Sequence, residues 1–326
     1  MTHRSIRRCM GSRGTLAALA AVVALMPAAV DAQDAPRTPW GQPDLQGVWD
    51  FRTITPLQRP EALGEQAFLT AEEAANLEQE AVARDQRLLE AAPTKTEAGG
   101  NVGAYNNFWM DRGTRTIETR RTSLVIDPPN GRIPPMSAPG QARADARAEY
   151  RREHPADAPA DRSSFDRCIL GFNTGPPMTP GGYNQNMQVF QTEDHVVILN
   201  EMVHDSRIVP IDGSARSGIG AWTGESRGHW EGDTLVIETR DFTDKTGWRG
   251  SSKGMTLVER LSRQDDDTLV YQFTATDPDT WTASWTAEIP MRRNDQPLFE
   301  YACHEGNYAM DGILSGARYD ERQTGP

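Results

Sequence analysis

The chain has 326 residues, 37% of them hydrophobic and 25% charged, with 34 Lys and Arg against 46 Asp and Glu. A formal net charge of −12 opposes binding to nucleic acid or anionic lipid. No run beyond the first 32 residues reaches the ~18 continuous apolar residues of a spanning helix, so membrane insertion by the remainder is not expected.

At the start, Arg4, Arg7, Arg8 and Arg13 precede an apolar run from Leu16 to Ala29 that ends in Val30-Asp31-Ala32. This is the pattern of a secretory leader over 1–32, and it predicts a periplasmic or secreted protein. Cys9 lies before the apolar stretch, so a lipid anchor is not expected; an uncleaved leader acting as a tether is the lesser alternative. Taking away the leader's four arginines and one aspartate moves the charge from −12 to −15. The remaining chain is long enough for one large core or two small ones.

Residues 33–118 read as an extended and helical segment that packs on a core. Gln33 to Pro60 is rich in proline and holds one strand candidate, Leu45 to Phe51. Thr70-Ala71-Glu72-Glu73 is a capping box that opens a surface helix running to Glu90. Gly99 to Gly113, with Phe108 and Trp109, is too aromatic for a linker and reads as a loop that packs or binds.

Residues 119–326 read as an antiparallel β domain. Ser123 to Ile126 and Arg132 to Ile133 flank Asp127-Pro128-Pro129-Asn130-Gly131, which predicts a hairpin. Gln141 to Glu153 predicts a surface helix inserted between strands, with the insertion spanning 139–154. After the Gly- and Pro-rich stretch Gly171 to Gly182, strands are expected at Met187–Gln191, His195–Met202, Arg207–Ile211, His229–Trp230, Thr234–Thr239, Thr256–Arg263, Thr268–Thr276, Trp281–Ile289 and Leu298–Cys303. Strict alternation in Trp281, Ala283, Trp285, Ala287, Ile289 gives one buried and one wet face.

Strands at hairpin spacing without intervening helices exclude a parallel sheet. They predict a mainly β fold, a meander forming a lipocalin-like barrel or a curled sheet, with a β-sandwich as the alternative. Ala309 to Arg322 carries Met310, Ile313, Leu314 and Ala317 at helical spacing, a closing helix. Without an internal repeat, a propeller is not expected.

Beyond the leader only Cys168 and Cys303 remain, which in an oxidising compartment predicts a disulfide; a pair of metal ligands is the alternative. Three blocks, Pro43-Asp44-Leu45-Gln46-Gly47-Val48-Trp49, His229-Trp230-Glu231-Gly232-Asp233-Thr234-Leu235-Val236 and Tyr301-Ala302-Cys303-His304-Glu305-Gly306-Asn307-Tyr308, resemble those of a family of exported bacterial proteins of unknown function. The resemblance spans nearly the whole chain after the leader. It implies export and the domain limits, and no catalytic assignment.

Polar candidates fall at strand ends. Glu201, His204, Asp205 and Arg207 cluster where a carboxylate could orient an imidazole for acid–base work, or where Glu201 and Arg207 simply pair across strands. His304 and Glu305 follow Cys303, with Tyr301, Asn307 and Tyr308 close in sequence, a rigid base beside phenols. His229 lies at a hairpin with Glu231 and Asp233 and is expected to face water if Trp230 lines the core. Trp109, Tyr183, Trp222 and Trp248, with His229, are the ligand-contact candidates. A divalent metal on His204, His229, His304 and Glu201 is the minor option, and otherwise no cofactor is expected, since no ligand pair has diagnostic spacing. The chain has no Gly-x-Ser-x-Gly elbow, Walker loop or dinucleotide fingerprint.

These features predict a cofactor-independent acid–base enzyme, a hydrolase, lyase or isomerase, acting on a small apolar or aromatic organic substrate. The alternative is a non-catalytic periplasmic barrel that carries or scavenges such a ligand; a structural envelope protein without a cavity comes third.

Overall fold

A computed structural model describes residues 36–91 and 107–324. The leader, 1–32, and residues 99–106 of the aromatic loop lie outside the described residues. The elements are β1 (Gly47–Asp50), α1 (Ala71–Glu90), β2 (Val125–Asp127), α2 (Ala138–Glu153), β3 (Asn186–Gln191), β4 (His195–Asn200), β5 (Ser206–Pro210), β6 (Glu225–Glu231), β7 (Thr234–Arg240), β8 (Thr256–Arg263), β9 (Thr268–Thr276), β10 (Trp285–Asn294) and α3 (Ala309–Thr324). The strands form one 10-stranded sheet in the order β5-β4-β3-β1-β10-β9-β8-β7-β6, with β2 also beside β10. All of the named pairings are antiparallel.

Alternation makes this sheet. Leu269, Tyr271, Phe273 and Ala275 on β9, and Trp285, Ala287, Ile289 and Met291 on β10, are fully buried, while their neighbours face outward. Trp49, Phe51, Tyr271, Phe273 and Trp285 are among the largest side chains filling the interior. The sheet curls without closing: β5 and β6 are its two edges. They approach through side chains, since a Cβ on Gly228 of β6 would stand 2.7 Å from Ile211 Cγ2 and 3.1 Å from Val209 Cγ1. The curled-sheet form of the expected fold is therefore the one adopted, and a single continuous sheet replaces the two layers of a sandwich.

The N-terminal segment enters the sheet rather than only lying over it. β1 sits between β3 and β10, anchored by Gln191, whose side chain accepts from Leu45 N at 2.5 Å and donates to Pro43 O at 3.1 Å. α1 has the anticipated capping box, Glu73 N donating to Thr70 Oγ1 and Thr70 N to the Glu73 carboxylate.

Three expected strands differ. Leu298–Cys303 is not a strand, because β10 already has β1 and β9 on its flanks and the chain turns away after Asn294, whose Oδ1 accepts from Gln296 N. β10 begins at Trp285, not Trp281, because buried Asp277 holds the preceding residues in a turn, accepting from Ser252 N (2.7 Å) and Thr280 Oγ1 (2.7 Å); Ala283 is exposed. Of the hairpin at 123–133, the first arm becomes β2 and the turn closes by Gly131 N donating to Pro128 O, but Arg132–Ile133 is no strand because β2 pairs with β10.

Candidate functional site

The structure separates the sequence-predicted acid–base groups. Between β4 and β5, Val203 and His204 take positive φ angles of 62° and 53°, and His204 is left exposed. Glu201 is buried and accepts from Asn186 N (3.2 Å) and Asn186 Nδ2 (2.8 Å), a bond that joins β3 to this turn. Arg207 turns inward to Glu259 instead of pairing with Glu201. Asp205 stays half-buried, and that burial pushes its carboxyl up while Arg207 draws it down. The four groups have four surroundings.

His229 is exposed on β6, 3.2 Å from Glu231, while its neighbour Trp230 packs on the core. Glu231 also accepts from Arg260 at 2.6 Å, and Arg260 first and His229 second hold its carboxyl below the usual range. Cys168 and Cys303 are disulfide-bonded, but the turn after Cys303 leaves His304 and Glu305 in water. Tyr301 lies half-buried and stacks on Tyr183, ring centroids 6.3 Å apart. Glu201 and the three histidines do not assemble a metal centre, and among the described residues no group of three or more His, Cys, Asp and Glu side chains does.

The aromatic candidates are dispersed too. Trp109 is 64% exposed and packs edge-on against Phe108; Trp222 is half-buried beneath the Arg167 guanidinium. Tyr183 joins a row with Phe172 and Tyr301. Trp248 is half-buried and packs against the core, stacked on Trp285 at 5.6 Å and edge-on to Phe273 and Trp281. Alternation and loop position do not report such long-range stacking.

What converges instead is arginine. A cleft of about 270 Å³ is formed where the chain leaving β1, α1, the 171–185 loop and the 3-10 turn Trp248–Gly250 meet. Its lining includes Arg84, Arg112 and Arg249, the hydroxyl residues Thr53 and Thr179, and Leu124 as an apolar floor shared with the core. Among the described residues no aspartate or glutamate lines it. Arg84 meets the neighbouring Asp85 at 2.8 Å.

Arg249 is the most distinctive of the three. Trp248 is anchored in the core, and Arg249 follows it at φ 48°, its guanidinium 5.7 Å from the Trp248 ring centroid. Its side chain is exposed at the cleft mouth, and partial desolvation by the surrounding atoms lowers its pKa. A cleft lined by three arginines suits a carboxylate or another small oxyanion, which guanidinium groups bind with charge-assisted, often two-bond geometry.

None of the sequence-predicted site residues lines this cleft. Its arginines come from a helix and two loops without mutual spacing, so no local pattern announced them. The one available signal was the glycine-rich stretch around Arg249. In comparisons with known proteins, the chain matches no family model, no curated protein and no solved structure.

Proposed function

We propose that the protein is a non-catalytic, exported carrier or scavenger that binds a small organic anion in the arginine-lined cleft. The observation that carries this reading is that Arg84, Arg112 and Arg249 line one cleft with no carboxylate among its described lining residues, on a chain of net charge −12. Three guanidinium groups around one cleft favour an anion there, even with Arg84 paired to Asp85. A hydrogen bond to a charged group is worth about 1.5–3 kcal/mol. The acid–base enzyme is the weaker reading, because it needed histidines at one rim and His204, His229 and His304 lie exposed on separate turns and strands. Export rests on the leader pattern of residues 1–32.

Calorimetric titration of the full chain with acetate, succinate and benzoate at low salt tests the reading. Binding should weaken about tenfold or more in Arg249→Gln, equivalent to ~1.4 kcal/mol, and should fall as salt rises. The corresponding methyl esters should not bind. Equal affinity in the variant, or equal binding of acid and ester, would remove the cleft as an anion site.

A further inference from the structure

We infer that the anion is the head group of an amphiphile, a long-chain carboxylic acid or a chemical equivalent, whose apolar chain lies along α1 beside the arginine cleft. This rests on the anion-binding reading and specifies its ligand. A second groove, about 580 Å³, shares Ile54, Thr55 and Pro56 with the arginine cleft and is walled by Pro60, Leu63, Leu69 and Leu77. A third depression joins the two, lined by Ile54, Leu77, Glu80 and Arg84 among others. The three form one trough that passes along the segment leaving β1.

α1 supplies the long wall. Leu77, Glu80 and Arg84 recur at spacings of three and four, so they share one helix face, apolar at its earlier end and cationic where it reaches the arginine cleft. Leu77 is 42% exposed, apolar surface that an acyl chain would cover. Charge sets the direction in which a ligand lies. Glu73 and Glu80 border the apolar groove together with one arginine, Arg121, which is held by Glu288, whereas Arg84, Arg112 and Arg249 line the other end. An anionic head is repelled from the first end and held at the second, leaving its chain beside Leu77, Leu63 and Pro56.

A freely soluble short acid would use only the head site. An amphiphile uses both, and each buried methylene then adds affinity. Complete burial is worth about fourfold per methylene, and a half-covered groove about twofold.

The test is titration of the full chain with acetate, octanoate, dodecanoate and hexadecanoate, each below its micelle concentration, with sedimentation run in parallel. Affinity should climb about twofold per methylene until the chain outgrows the groove. Leu77→Ser and Leu63→Ser should flatten that slope, while Val82→Ser, on α1 but outside this trough, should keep it. Arg249→Gln should lower the whole series in parallel. A flat series with acetate still bound overturns the amphiphile and leaves the anion site standing. Failure of every acid overturns both. A slope that persists in both leucine variants places the chain elsewhere and overturns the inference. So does a self-association that the leucine variants abolish without changing acid binding, which would make the groove a contact between copies.

Discussion

Arg207 on β5 and Glu259 on β8 meet inside the core as a two-bond ion pair, although their strands are not neighbours in the sheet. Arg207 Nη2 donates to Glu259 Oε1 at 2.9 Å, and Nη1 donates to Oε2. The Tyr271 hydroxyl donates to Glu259 Oε1 at 2.7 Å and itself accepts from Met178 N at 3.2 Å. The pair links an edge strand to the opposite part of the curled sheet. Burial by itself pulls the Arg207 pKa down, but the facing Glu259 outweighs it and the net shift is upward. Burial, followed by the Glu259 charge, drives the Tyr271 phenol well above its ordinary value.

Breaking this pair on one side strands a buried charge. Glu259→Gln should cost about 3–5 kcal/mol in urea unfolding, whereas the double change Arg207→Met with Glu259→Leu should be near neutral or stabilising. A loss under ~1 kcal/mol in the single variant would mean that the guanidinium finds water, contrary to its burial.

Gly228 lets the sheet edges approach. Any side chain there drives into Ile211 and Val209, so Gly228→Val should destabilise by about 1–3 kcal/mol through overpacking. Guanidinium unfolding measures it; an unchanged midpoint would show that the edges separate freely.

Glu225 gives the fold an acid-sensitive tie. Its carboxylate accepts from Ser217 N (2.8 Å), Gly218 N (3.1 Å), Ser217 Oγ (3.0 Å) and Arg227 (2.6 Å), which brings its pKa down to about 2, with the Ser217 amide the main cause. A depressed folded pKa contributes stability above the unfolded value of 4.5, and that contribution is lost as pH falls through 2. Glu225→Gln should therefore melt below the parent at pH 7, with the gap shrinking between those two values. A gap that is constant with pH would contradict the tie.

His229 and His304 are exposed, so His229→Ala and His304→Ala should each change unfolding free energy by no more than ~0.5 kcal/mol. A larger loss, measured by urea titration, would reveal contacts beyond the observed surface positions.

The strands Thr256–Arg263 and Thr268–Thr276 were legible to the residue, and the Thr70 cap placed the start of α1. Cysteine count and compartment anticipated the Cys168–Cys303 bond. The candidate site was not legible. Histidines near carboxylates in sequence were natural guesses, but a turn at Val203 and His204 sends Glu201 inward and His204 outward.

Periodicity, caps and turn residues act within a few positions of one another, so a linear reading reaches the identity of the elements and the mainly antiparallel β class. Partnership does not act at that range. β1 enters between β3 and β10, Arg207 finds Glu259 across the core, and Arg84 comes beside Arg249 because packing brings distant segments together. Those meetings depend on how the whole chain packs, which no local window of residues contains.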